Sequence, residues 1–242
     1  MLFANLPQQD EVLRIAHISD PHIDGPAAAR RLSLGKLASR KLDLVLLTGD
    51  YMVRYGATEP AVQWLTEMTR VLRPRFGFYG IFGNHDEGEL RQRVADLPIR
   101  WLDGRAERLD QAGLILAGVS TNCGPVRSVG DVTAMARSLG RLRQDESSSR
   151  LLTLSLCHVP GALAAIEAMD PDWMVSGHTH GGQLRLPTGW NPFQFGMGTH
   201  YASGLYRFRD MMLAVSRGIG RRAWTPRVFC PPQLPLYTLH RG

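Results

Sequence analysis

The chain has 242 residues, of which 44% are apolar and 21% charged, with a formal net charge of +6 and three cysteines. That length can bury a sizeable core without disulfides or a structural metal, and the motifs below run from Asp20 to His180, so one domain over residues 1–242 is expected. The widely spaced Cys123, Cys157 and Cys230 argue against a disulfide framework or a zinc knuckle, the scattered basic residues against a nucleic-acid-binding tail, and the lack of an apolar run near ~20 residues against a membrane-spanning helix.

In chain order, residues 13–19 (LRIAHIS) read as a buried strand ending at Asp20. Residues 29–41 space apolar positions at three and four and predict a helix. A second strand, 42–48, ends at Gly49-Asp50, and a helix over 59–73 follows with Pro60 in its first turn. A third strand, 76–82, ends at Gly83-Asn84-His85-Asp86. Then come a strand over 114–120, a helix over 131–144, a polar surface turn at 144–150, a strand over 151–157, a helix over 161–169 and a strand over 173–177. This rhythm predicts right-handed crossovers and a largely parallel core sheet. After Gly181 the texture turns rich in Gly, Pro and aromatics, which predicts loops and short antiparallel strands, with closing strands at 212–220 and 234–240.

Functional groups of open α/β sheets gather at the C-terminal ends of strands. Five segments deliver carboxylates, amides or imidazoles there: Asp20-Pro21-His22, Gly49-Asp50, Gly83-Asn84-His85-Asp86, His158, and Gly177-His178-Thr179-His180. Mixed carboxylate and imidazole donors suit divalent transition metals such as manganese, iron or zinc. An aspartate between two ions can bridge them with its two oxygens, and an asparagine carbonyl adds a neutral ligand. Two ions about 3.5–4 Å apart activate water and clamp phosphoryl oxygens in an in-line displacement. A buried unpaired aspartate at a strand end is costly without a cation or several donors, so a purely structural role for all five segments is disfavoured.

The ordered set D-x-H, G-D, G-N-H-D, H and G-H-x-H, complete over residues 18–180, resembles the calcineurin-like metallophosphoesterase superfamily. The resemblance implies an α/β fold, a four-layer α/β/β/α sandwich of two mixed β-sheets. It implies that Asp20, His22, Asp50 and His180 hold one metal and that Asn84, His158 and His178 complete a second, with Asp50 bridging. His85 would bind no metal but would lie beside the scissile phosphate as a charge stabiliser or general acid. The implied nucleophile is a hydroxide bridging the two metals, with no covalent enzyme intermediate. Two divalent ions are thus expected, manganese first and iron or zinc as alternatives. Downstream, residues 177–187, 215–220 and 225–232 are similar to a bacterial branch that includes cell-envelope phosphodiesterases and lipid A precursor pyrophosphatases, though Gln233 stands where that branch commonly has an acid.

The remaining residues of note read more blandly. His17 is expected to pack in the core, and Asp86 to cap the next helix or orient a neighbour. Cys157 reads as a small buried residue, and His200 and His240 as surface or loop residues. Trp190, Phe193, Phe195, Tyr201 and Tyr206 are expected to pack or, alternatively, to rim the site. Arg185, Arg207 and Arg217 are the candidates for a second phosphate contact. The reading is a hydrolase acting on a small phosphodiester, nucleotide-type or lipid-linked pyrophosphate substrate. Its competitors are a nuclease acting on single-stranded nucleic acid, a silent metal-binding module and a membrane-surface adaptor. No stable nucleic-acid partner is expected. The first residues lack the apolar core of a signal peptide, so the expected location is cytoplasmic or peripheral at the inner membrane.

Overall fold

A computed structural model describes residues 2–3, 12–25, 34–121, 130–145, 147, 151–188, 190–191, 200–222 and 226–241. Among these described residues, twelve strands form two six-stranded sheets. The first sheet contains β1 (Leu2–Phe3), β2 (Val12–Ile18), β3 (Leu44–Leu47), β4 (Phe78–Gly80), β5 (Ile99–Trp101) and β12 (Leu236–Arg241), in the order β1-β12-β2-β3-β4-β5. The second contains β6 (Arg105–Leu109), β7 (Leu114–Val119), β8 (Leu152–Cys157), β9 (Trp173–Ser176), β10 (Gly204–Phe208) and β11 (Met211–Val215), in the order β10-β11-β9-β8-β7-β6. Both are mixed. The run β2-β3-β4-β5 is parallel with β12 antiparallel to β2, and β7-β8-β9-β11 is parallel with β6 and β10 antiparallel at its edges.

Period-two alternation sorts side chains into layers. Leu13, Ile15, Leu44, Leu46 and Tyr79 of the first sheet meet Leu114, Leu116, Leu154, Leu156, Trp173 and Val175 of the second in a buried layer between the sheets. The opposite face of the first sheet, with Ala16, Ile18, Val45, Leu47 and Phe78, packs on helix α1 (described over residues 34–38), on α2 (Thr58–Val71) and on α3 (Gly88–Arg93). Buried Ala61, Trp64, Leu65 and Met68 give α2 its core stripe. The outer face of the second sheet, with Ala117, Val119, Cys157, Met174 and Leu213, packs on α4 (Val132–Arg143) and α5 (Leu163–Glu167). The result is the expected four-layer α/β/β/α sandwich. No helix among the described residues is long and apolar enough to cross a membrane.

The sequence missed β6 (RAERL), which is charged with little apolar alternation, and β5 (IRW), which at three residues is too short to show a period. The strand expected over 212–220 stops at Val215, because the chain then turns through Gly218 with a positive φ.

Candidate metal centre

The five sequence motifs converge where the parallel strands of both sheets end. β2 leads into Asp20 and His22, β3 into Asp50, β4 into Asn84 and His85, β8 into His158, and β9 into His178 and His180. Parallel pairing continues past the strands: the amides of Asp20, His22 and Ile23 donate to the carbonyls of Gly49 (3.0 Å), Asp50 (3.1 Å) and Tyr51 (2.8 Å). In the second sheet, the Gly177 amide donates to the His158 carbonyl at 3.1 Å.

Close approach fixes the backbone there. A Cβ on Gly177 would overlap Ser19 Oγ and Asp20 Oδ2, so only glycine lets the histidine loop reach Asp20. Nine described non-glycine residues have positive φ, and five are candidate ligands: Asp20 (51°), His22 (42°), Asp50 (57°), His178 (69°) and His180 (50°). Left-handed backbone at such residues is costly and persists where surrounding structure over-determines it, which clusters at functional sites.

Two donor groups result. Asp20, His22 and His180 form one, and Asp50, His158 and His178 the other, each with its ligand atoms within 4.8 Å of one another. In the first, His180 Nε2 lies 3.3 Å from Asp20 Oδ1 and 2.9 Å from His22 Nε2. In the second, His178 Nδ1 is 3.2 Å from His158 Nε2. Asp50 Oδ2 stands between the groups, 3.2 Å from His158 Nε2 and 3.5 Å from His22 Nε2. Its other oxygen, Oδ1, accepts from the His85 amide at 2.9 Å. The His85 ring meets His22 edge-on, centroids 4.9 Å apart, and His85 remains partly exposed.

The donor set fits divalent cations. Asn84 Oδ1 is buried with no hydrogen-bond partner among the described residues, as a neutral ligand atom would be. The Nδ1–H of His22 donates to the Met52 carbonyl (2.9 Å) and that of His158 to the Thr48 carbonyl (2.6 Å), which leaves each Nε2 lone pair facing the site. Metal-ligating histidines are oriented in this way. His180 differs, since its Nδ1 accepts from Arg227 Nη2 at 3.2 Å.

Electrostatics follow from burial. Burial pushes Asp20 up to about 6, with the Asp50 charge adding to it, and pushes His22 down to about 4. Burial also drives His180 well below its ordinary range, helped by His22 and Arg227. Asp50 and His158 move the other way. Burial opposes both charges, yet their mutual attraction outweighs it, holding Asp50 well below the carboxylate range and lifting His158 to about 9. A largely buried group of carboxylates and mostly neutral imidazoles favours bound cations.

A second layer that the motifs do not reveal orients the ligands. Tyr237 on β12 donates to His17 Nδ1 (3.1 Å), His17 Nε2–H donates to Thr48 Oγ1 (2.8 Å), Thr48 donates to Ser19 Oγ (2.8 Å), and Ser19 donates to Asp20 Oδ2. His17 is fully buried, as expected of a core histidine, and burial lowers it to about 3, so it is neutral throughout this chain. Asp86 does not cap α3, whose N-cap is Glu87. Its carboxylate instead accepts from the amides of Tyr51 (2.8 Å) and Met52 (3.2 Å) on one oxygen and of Asp50 and Gly83 (both 2.8 Å) on the other. It thereby ties two ligand loops together. Arg227 spends its guanidinium on the carbonyls of Arg217 (2.6 Å), Gly220, His180 and Cys230, binding the C-terminal loops to the histidine turn. The available signal for Ser19 and Thr48 was a hydroxyl ending an otherwise apolar strand beside a ligand.

Other residues stand apart. His200 and His240 are exposed, Cys157 is buried, and Arg207 is exposed on β10. Tyr201 and Tyr206 pack edge to face, while Trp190 is 53% exposed. Phe193, Phe195 and Cys123 lie outside the described residues.

A family profile for calcineurin-like phosphoesterase matches residues 13–182. The chain is 25% identical over 240 residues to the uncharacterized metallophosphoesterase YkoQ of Bacillus subtilis, covering 94% of this chain and 83% of that one. It is 30% identical over 208 residues to phosphodiesterase YaeI of Escherichia coli, covering 83% of this chain and 71% of that one. Among solved structures, TT1561 of Thermus thermophilus superposes with a TM-score of 0.51 at 14% identity, covering 88% of this chain and 91% of that one, and shares the fold. The profile spans every segment that builds the two donor groups, and the chain belongs to the calcineurin-like phosphoesterase family, a metal-dependent phosphoesterase.

Proposed function

We propose that the chain is a dinuclear hydrolase of phosphodiester or pyrophosphate bonds, acting on a small nucleotide-type or lipid-linked substrate. The observation that carries this reading is the position of Asp50 Oδ2, within 3.5 Å of a histidine from each donor group. One carboxylate shared by two groups suits a pair of ions. Asp20, His22 and His180 would hold the first ion, Asn84, His158 and His178 the second, and Asp50 would be shared by both. Manganese is the first choice of metal, with iron or zinc as alternatives. When bound, the ions supply Lewis acidity that activates water and offsets charge on the phosphoryl oxygens.

The protein residues then position and protonate. His85 is partly exposed and held by its amide on Asp50 Oδ1; in this reading it would lie beside the scissile phosphate and stabilise charge there or protonate the leaving oxygen as a general acid. The name of the relative YaeI favours a diester. Residues 1–242 act as one domain in this reading. Exposed Leu186, Trp190, Val228 and Phe229 sit on two loops joined by the Leu184–Val228 bridge, which supports peripheral contact with a membrane surface. Co-sedimentation with anionic vesicles tests that contact.

The test of function is hydrolysis of bis-p-nitrophenyl phosphate and p-nitrophenyl phosphate by chelated protein reconstituted with manganese. Metal-dependent cleavage of the diester, with Asp50→Asn and His85→Ala near background, is expected. Inactivity of metal-loaded wild type on both esters and on natural pyrophosphates would sink the reading.

A further inference from the structure

Three arginines compete, on sequence, for a second phosphate: Arg185, Arg207 and Arg217. Geometry separates them. Arg207 pairs with Met212 in the β10–β11 ladder, whereas the end of that ladder next to the metal centre is Gly204–Val215, three residues away. At ~3.3 Å per residue that is about 10 Å along the strand. Arg185 is committed, its Nε donating to the Gly181 carbonyl at 2.8 Å and its Nη2 to Ser203 Oγ.

Arg217 is placed and available. It follows Ser216, whose amide donates to the Ser176 carbonyl at 2.8 Å, so it leaves β11 beside the start of the histidine turn. Its Cγ and Cδ lie 2.8 and 3.0 Å from where a Gly181 Cβ would stand, directly after His180. The side chain is partly buried, unlike those of Arg221 and Arg222, which are exposed. Its Nε makes a long contact of 3.4 Å with Gln233 Oε1, and neither Nη has a hydrogen-bond or carboxylate partner among the described residues. Gln233 occupies that place as a neutral amide, so no carboxylate there offsets the guanidinium. A glutamate there would pair with it. A guanidinium with both Nη groups open matches the two oxygens of a phosphoryl group.

We propose that Arg217 is the contact for a second phosphoryl group of the substrate, beside the scissile phosphate, and that Gln233 leaves it free for that purpose. The inference rests on the phosphoesterase reading and narrows its substrate to doubly phosphorylated molecules such as pyrophosphate-linked ones.

The experiment compares two p-nitrophenyl phosphodiesters, one with a plain phenyl as its second ester group and one with a phenyl bearing a phosphonate. The manganese-loaded wild type is expected to prefer the phosphonate ester through a lower KM. Arg217→Ala should cut the ratio of the two kcat/KM values about ten- to a hundredfold, as loss of a bond to a charged group does. Gln233→Glu, which keeps Arg217 and the fold, should cut it in the same direction, and Arg217→Lys should restore part of it. A wild type without preference, or a ratio unmoved by both Arg217→Ala and Gln233→Glu while both esters are cleaved, overturns the proposal and leaves the phosphoesterase reading intact. If wild type cleaves neither ester nor a natural pyrophosphate, that reading fails instead; if it cleaves only the pyrophosphate, binding is measured in place of turnover. Calorimetric titration with the same esters then decides, at least tenfold weaker binding of the phosphonate ester to Arg217→Ala supporting the contact and equal binding overturning it.

Discussion

His17 gives the account a quantitative handle. It is fully buried, and burial lowers its pKa to about 3 against an ordinary value of 6.5. The unfolded chain therefore takes up this proton first as pH falls. For a base whose folded pKa is depressed, stability is fully present above pH ~6.5 and declines down to pH ~3. At 1.36 kcal/mol per pH unit, the loss at pH 5 relative to pH 8 is about 2 kcal/mol. His17→Gln removes this titration and retains a group that can donate to Thr48 and accept from Tyr237. The assay is urea unfolding of metal-free wild type and variant at pH 8 and pH 5, read as a difference of differences, so that the other titrating groups cancel. Wild type should lose about 2 kcal/mol more than the variant over that range. Equal losses would mean that His17 is solvated or already protonated in the folded protein. The direction of the relay from Tyr237 to Asp20 would then be wrong.

Two further outcomes follow from the same geometry. Asp86→Ala leaves four backbone amides without the acceptor they now share. At about 1–3 kcal/mol for each orphaned buried donor, with partial relaxation, a loss of at least about 3 kcal/mol in urea unfolding is expected. A loss under about 1 kcal/mol would show that the loops hold without it. His85→Ala should lower kcat on the phosphodiester about 10²- to 10⁴-fold, the usual contribution of a general acid, while metal content by elemental analysis stays at the wild-type level. A fall in metal content would instead make His85 a ligand.

Much of the fold was legible because the central strands are continuous apolar runs that end in polar motifs, as at LVLL before Gly49-Asp50. Edge strands such as RAERL are set by pairing with a neighbour, here β7, and carry no pattern of their own. The residues of the two donor groups were legible because each motif sits at the end of a parallel strand, which fixes where its side chains gather. The supporting layer was not. Tyr237 reaches His17 across 220 positions, and Asp86 reaches Asp50 across 36. Arg227 acts through carbonyls, which any sequence offers. For Asp86 the sequence left capping and orienting a neighbour open, because aspartate before a helix is a local capping signal, whereas the amides it orients belong largely to a distant loop.

The most direct test of the central claim is metal stoichiometry. Purified protein, stripped with chelator, is dialysed against excess manganese and then against metal-free buffer, and bound metal is measured by elemental analysis for wild type and Asp50→Asn. The shared position of Asp50 predicts about two ions per chain for wild type and a loss from both groups in the variant, to below about one. Wild type that retains one ion or none, or a variant that keeps both, would contradict the dinuclear centre.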